Sequence, residues 1–276
     1  MIYYHSIWLI KPVSKIKYVM TPLNKDIFFS IIIPAYNEEN NIEATLTSIA
    51  EYFEKKSVFD YEVVVINDNS NDQTESILKR INQTYPCIRY VNNTPPNGIG
   101  YAIRQGLESF QGQSVCIVMA DLSDSPEDIY KYYGHLKAGN ECVFGSRFIS
   151  GSKVTGYPIH KLILNRFANW FIKFLFSTDH NDITNAFKAY RREVIEGILP
   201  IISCHFNITV ELPLKAIVRG YLPKKIPISW INKRKGLSNL RIQEMGSRYL
   251  FIILYIYLEK RLSMGDYMRK MQVHKK

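Results

Sequence analysis

Short apolar runs that end in polar clusters constrain this chain more than any other feature. Phe28–Ile33 (FFSIII) stops at Pro34 and empties into Tyr36-Asn37-Glu38. Tyr61–Ile66 empties into Asn67 through Asp72, and Val115–Met119 into Asp121 through Asp124. Glu141–Phe144 ends in Gly145-Ser146-Arg147. Each run is short, β-branched or aromatic, and continuous, as a strand buried on both faces must be. Ile42, Leu46, Ile49 and Phe53 recur at helical spacing between the first two runs. Helical patterns also follow the later runs, with Ile88–Val91 as a further short strand. This alternation predicts an α/β fold, a mainly parallel sheet with helices on both faces. In such a sheet the polar clusters fall on one edge, outside the carboxyl ends of the strands.

The alternation weakens after residue 150. Leu162–Phe176 reads as an aromatic-rich helix and Ala186–Tyr190 as a strand, with a short helix around Val194–Leu199. Ile208–Val218 reads as a helix despite Pro213, Ile226–Trp230 as a strand, and Leu240–Leu258 as a long terminal helix. Residues 1–26 show no clear period and read as an N-terminal extension. Residues 27–239 read as one continuous domain, and 240–276 as an amphipathic helix with a basic tail.

Composition narrows the chemistry. The 276 residues are 46% hydrophobic and 22% charged, which is globular. Four scattered cysteines and six histidines show no metal spacing, and Cys116 and Cys142 read as buried thiols of a reducing compartment. The net charge of +10 is concentrated after residue 215 and points to a polyanionic partner. No nucleic-acid module is recognisable, so no nucleic-acid partner is expected. No segment is long and apolar enough to span a bilayer. Tyr249–Leu258 suits either core packing or a membrane interface.

Within CIVMADLSDSPED, residues 116–128, the acids after the strand suit divalent-cation binding or proton chemistry, while Asp124 or Ser125 also suits a helix cap. Asp68 is placed to meet a ligand, and Asp72 to cap the next helix. Gly98-x-Gly100 lacks the third glycine of a dinucleotide fingerprint and reads as close backbone approach to a ligand at a helix start. Arg147, with Lys161 or Arg166 on the following helix, adds positive charge near a diphosphate.

The ordered series SIIIPAYNEENNI, EVVVINDNSNDQT, NGIGYAIRQGL, VMADLSDSPED, VFGSRF, DITNAFKAYRREVIEG, FNITVELPLKAIVRG and KRKGLSNL resembles glycosyltransferase family 2. Within it, the branch of dolichyl-phosphate mannose synthases and related polyprenyl-phosphate glycosyltransferases is the most similar. The resemblance covers about residues 28–260. It implies the GT-A fold and inverting transfer of a sugar from a nucleotide diphosphate, assisted by Mg²⁺ or Mn²⁺. Pro34, Tyr36 and Glu38 then match the first nucleotide-contacting loop, and Asp68 the acid beside the base. Asp121 matches the metal acid of Asp-x-Asp, Arg147 the arginine near the phosphates, and Arg234 the basic loop over the donor. Gly98 and Lys161 complete the expected donor site.

The chain departs from the pattern at Met119, which replaces the first acid of Asp-x-Asp, and at Asn67, Gln73 and Asn239. Asp124 is the expected substitute second metal ligand. A phosphate acceptor needs no general base, whereas a hydroxyl acceptor needs a carboxylate, for which Asp182 and Glu211 are the candidates. The basic C-terminal third favours a polyprenyl phosphate at the cytoplasmic face of a membrane, with the protein peripheral to it. The alternatives are a saccharide hydroxyl acceptor in surface glycan assembly and a non-catalytic scaffold that binds a nucleotide sugar.

Overall fold

The structure, a computed structural model, describes residues 20–231 and 242–269. A seven-stranded sheet has the order β3-β2-β1-β4-β7-β5-β8. Its strands are β1 (Phe29–Ala35), β2 (Tyr61–Asn67), β3 (Ile88–Asn92), β4 (Ser114–Ile117), β5 (Cys142–Ser146), β7 (Lys188–Arg191) and β8 (Pro223–Pro227). All neighbours are parallel except β7, which runs antiparallel to both β4 and β5. A second small sheet pairs β6 (Lys153–Thr155) in parallel with β9 (Ser229–Ile231). The expected strand Ile226–Trp230 is therefore two strands separated at Ile228.

Strands β1 and β2 are buried at every position, which is why they read as unbroken apolar runs. Helices α1 (Ile42–Lys55), α2 (Thr74–Thr84) and α4 (Pro126–Lys137) cover one face, and α3 (Ile99–Ser109), α6 (Arg192–Ile198) and α7 (Ile208–Val218) the other. Cys116 and Cys142 are buried free thiols in β4 and β5. Residues 20–26 lack a period, yet they are tied down: Thr21 N–H donates to Glu108 O at 2.8 Å and Asn24 N–H to Gln111 O at 2.9 Å.

A third apolar cluster joins α5 (Ile159–Phe176), α7 and α8 (Ile242–Leu262) through Ile172, Phe176, Val210, Leu214, Ile252, Ile253 and Ile256. The Tyr249–Leu258 segment thus packs as core along one face. Its other face leaves Leu250, Phe251, Leu254 and Leu258 exposed. A buried pair, Arg219 with Glu259 at 3.1 Å, joins α7 to α8.

The order of strands sets the position of the site. The chain steps from β1 outward to β2 and β3, then returns to place β4 on the other side of β1. The β1/β4 boundary is the switch point where such sheets bind ligands. Pro34 lies beyond the last paired residues of β1 and β4, Ile32 and Ile117, so its missing N–H breaks no ladder there. Reversal of β7 sets its first residue, Lys188, opposite Ile117 at the end of β4 and Phe144 near the end of β5. The loop entering β7 therefore reaches the same edge as the loops leaving β1, β4 and β5.

Candidate active site

The acidic turn follows β4. Asp121 Oδ1 accepts from Ser123 N–H at 3.2 Å, and Leu122 between them takes φ 59°, a conformation unusual for a residue with a Cβ. Thr45 Oγ1 on α1 donates to Ala120 O at 2.8 Å and fixes the start of the turn. Ser125 caps α4 by accepting from Glu127 N–H, with Pro126 at the first helical position.

Asp124 does not cap. It is buried, and its Oδ2 accepts from Met119 N–H at 3.0 Å. Burial raises its pKa to about 7; the charges of Asp121 and Asp128 add to the rise, while the Met119 hydrogen bond and Arg147 oppose it. Burial and the raised pKa make Asp124 a poorer substitute for the acid missing at Met119 than an exposed carboxylate would be. Among the described residues no group of three or more His, Cys, Asp or Glu side chains is placed to hold a metal. Asp121 nevertheless fits the pattern in which one or two carboxylates and the substrate's phosphates share a divalent cation.

Asp68 is buried with both oxygens engaged, Oδ1 by Asn93 Nδ2 at 2.7 Å and Oδ2 by Gly98 N–H at 2.8 Å. It joins the end of β2 to the start of α3. Gly98 takes φ 136°, which favours glycine, but its N–H is spent on Asp68. At Gly100 a Cβ would lie 2.2 Å from the backbone carbon of Cys204. The close approach at this helix start is filled by the protein's own 204–205 backbone at Gly100.

Tyr36, in the loop that follows β1, is 55% exposed. Glu38 Oε2 accepts from Asn41 Nδ2 at 2.9 Å, and Glu38 N–H donates to Thr74 Oγ1 at 2.9 Å. Asp72 accepts from Thr74 N–H at 3.0 Å and from Glu39 N–H at 3.1 Å; the N-cap of α2 is Gln73, so Asp72 braces the turn before the helix and is not its cap. Lys161 is half-buried on the first turn of α5. Arg234 and Asn239 lie outside the described residues.

Arg147, which follows β5, is held by Asp182 in the loop entering β7. Its Nε and Nη2 donate to the two carboxylate oxygens at 2.8 Å each, and its N–H adds a bond of 3.0 Å. Burial disfavours the cation, but the hydrogen bonds and charge of Asp182 raise the Arg147 pKa above the ordinary arginine value. Asp182 was the expected general base for a hydroxyl acceptor. Both of its oxygens are bonded to a buried guanidinium, which makes it an anchor for Arg147. Glu211, the other candidate, accepts from Ile202 N–H at 2.9 Å and Ser203 N–H at 2.7 Å and pairs with buried Lys215.

Four further residues of this edge are not among the expected site residues. Lys188 is buried, and its Nζ donates to Ile183 O at 2.9 Å and to Asn185 O. Burial lowers its pKa to about 7, with Asp182 opposing and Arg147 assisting. Tyr157, Trp230 and Asp128 surround Arg147 and the acidic turn. Asp128 closes the acidic stretch 116–128 and Lys188 stands alone within the apolar run AFKAY; Tyr157 and Trp230 carry no such signal.

Helix α5 is lashed to the same loop. Asn165 and Asn169 donate to Thr184 Oγ1 at 2.7 and 3.0 Å, and Arg166 Nη1 donates to Asn181 O at 3.0 Å. Its opposite face exposes Ile159, Ile163, Phe167, Trp170 and Phe174.

Residues 30–199 match the family described as Glycosyl transferase family 2. The chain belongs to glycosyl transferase family 2. Two curated relatives are each 28% identical over 216 residues. One is the dolichol-phosphate mannosyltransferase of Pyrococcus furiosus, with 77% of this chain and 59% of that protein covered. The chain thus spans less than two thirds of that relative's length. The other is the polyprenol monophosphomannose synthase of Mycolicibacterium smegmatis, with 76% and 80% covered. Among solved structures, glucosyl-3-phosphoglycerate synthase from Mycobacterium tuberculosis, crystallised with Mn²⁺, UDP-glucose and phosphoglyceric acid, shares the fold. Its TM-score is 0.64 at 19% identity, with 85% of this chain and 79% of that chain covered. The family membership agrees with the mainly parallel sheet covered by helices.

Proposed function

We propose that the protein transfers a sugar, with inversion, from a nucleoside-diphosphate donor to a polyprenyl phosphate at the cytoplasmic face of a membrane. The observation that carries the reading is the convergence on one sheet edge of the acidic turn at Asp121 and the buried cation Arg147. Both curated relatives are named for transfer to a dolichol or polyprenol phosphate.

Pro34, Tyr36, Glu38 and Asp68 border the donor crevice in this reading. Asp121 is the residue to hold Mg²⁺ or Mn²⁺, which neutralises the diphosphate and makes it a better leaving group. Asp124 shapes the turn, and Asp68 and Gly98 hold the crevice wall. Arg147 and Lys161 supply positive charge to phosphate, with Asp182 fixing the direction of Arg147. Arg234 is kept as a donor contact from the motif order alone.

The acceptor class is argued from spent carboxylates. A hydroxyl nucleophile needs a proton acceptor, and both candidates, Asp182 and Glu211, have their oxygens engaged inside the protein. A phosphate monoester is already ionised near neutral pH and attacks without one.

The outer face of α5 supports the membrane assignment. The α5 stripe recurs at helical spacing, with Phe167 65%, Trp170 61% and Phe174 72% exposed, and the helix has no acidic residue but carries Lys161, Arg166 and Lys173. Such a face suits the headgroup boundary of an anionic bilayer. No helix among the described residues is long and apolar enough to cross a membrane.

The test is a screen of nucleotide sugars by thermal shift with Mn²⁺ or Mg²⁺, followed by transfer to polyprenyl phosphate in vesicles. Metal-dependent transfer that Asp121→Asn abolishes is expected. Transfer to saccharide hydroxyls alone would overturn the acceptor assignment, and donor binding without turnover on either acceptor would favour a scaffold.

A further inference from the structure

Strand β9 lies where the acidic turn, Arg147 and the small sheet meet. Ser229 N–H donates to Oδ2 of the buried Asp128 carboxylate at 2.6 Å, while Asp128 Oδ1 accepts from Lys131 Nζ at 2.9 Å. The next residue, Trp230, forms an isolated antiparallel bridge with Asp124. Two acids of the segment after β4 thus fix two successive residues of β9, and β6 pairs along the strand.

The Trp230 ring faces the cation. Arg147 Cζ lies 5.8 Å from the Trp230 centroid, 5.3 Å from that of Tyr157 and 5.5 Å from that of Phe148. Trp230 and Tyr157 are themselves 5.1 Å apart. None of these three aromatics belongs to the buried clusters that make the core. The tryptophan is therefore not explained by filling the interior.

A bidentate carboxylate fixes one edge of a guanidinium but leaves its plane soft to tilting about that edge. Aromatic faces within about 6 Å of the cation resist that tilt. We infer that Trp230 is a positioning residue, which sets the plane of Arg147 and holds it in register with the acidic turn. Because its backbone is bridged to Asp124, displacement of the turn carries with it the ring on which Arg147 rests. The consequence for catalysis rests on the transferase reading, in which Asp121 and Arg147 face phosphates of one reaction.

The direct readout is the Arg147 Nε–H resonance in a ¹⁵N spectrum, identified by its loss in Arg147→Lys. This proton is bonded to Asp182 and is expected to exchange slowly with water in the native protein. Trp230→Ala should broaden it or speed its exchange by about tenfold or more, and Trp230→Phe should restore it. Transfer by Trp230→Ala should fall about tenfold in kcat with a smaller change in donor KM, and that loss should largely vanish in an Arg147→Lys background. An unchanged Arg147 resonance in folded Trp230→Ala overturns the inference; if that variant does not fold, Trp230→Leu is read in the same way. A resonance that loosens in a protein without transfer activity upholds the positioning role and sinks the transferase reading. Active protein with an indifferent resonance does the reverse.

Discussion

Asp182 and Arg147, thirty-five positions apart in sequence, are joined by two hydrogen bonds of 2.8 Å with only 1% and 8% of their side chains exposed. Removal of one member of such a pair strands a charge in the interior. Asp182→Asn should destabilise the protein by about 3 kcal/mol or more in urea denaturation. A loss under about 1 kcal/mol would show that water reaches Arg147 and that the pair is not the anchor described.

The two acids of the turn should behave differently. Asp121→Asn should weaken Mn²⁺-dependent nucleotide binding, measured by calorimetry, by about tenfold or more. Asp124→Asn keeps an oxygen for Met119 N–H and should leave that affinity within about threefold. Equal losses in the two variants would restore Asp124 to the metal site.

Gly100→Ala tests the approach of α3 to the 204–205 backbone. Alanine is ordinarily favoured over glycine in a helix by up to about 1 kcal/mol. Here the added carbon would meet Cys204 C at 2.2 Å and His205 N at 2.4 Å, both backbone atoms that cannot swing aside. A net destabilisation of about 1–3 kcal/mol is expected in thermal or chemical unfolding. A stabilised variant would mean that the loop yields.

Lys188 predicts a pH dependence. Burial depresses its pKa to about 7, from the usual lysine value of 10.5. A cationic group with a depressed folded pKa contributes its stability above the unfolded value and loses it as pH falls through the folded value. The unfolding free energy of the native protein, relative to Lys188→Met, should therefore rise as pH is raised from 7 to 10. Denaturation series at several pH values check this, and a flat difference would place the ammonium in contact with water.

The outer face of α5 predicts a partition measurement. Phe167→Glu with Trp170→Glu should reduce sedimentation with anionic vesicles by about tenfold, without loss of stability, since both positions are exposed. Unchanged binding would move the contact to the exposed face of α8.

Much of the edge is legible in the chain alone. FSIIIPA and YEVVVIN are buried on every residue, so apolar runs and their polar exits report both strands and their ends. The turn at Asp121 and the arginine at 147 follow from the same rule. What stays hidden depends on pairing across distance. KAYR is only four residues long and carries a buried lysine, and its direction is set by neighbours that no local pattern names. Asp182 reads as a possible base because its partner is invisible until β7 is reversed. Asp124 reads as a ligand because an acid folded back onto Met119 N–H looks, in sequence, like one that faces outward. Tyr157 and Trp230 are half-buried and belong to no period.

The reversed β7 has a consequence for how such an enzyme can diversify. On one side of it, β1, β2 and β4 present exits of parallel strands; on the other, the edge is built from the incoming loop of residues 177–187, the exit of β5 and the α5 helix laced to them. Within the sheet the two halves meet along four residue pairs, Ser114 with Arg191 through Ile117 with Lys188. Segment 147–187 holds both Arg147 and its anchor Asp182, so exchange of that segment as one cassette between relatives should move the buried pair intact.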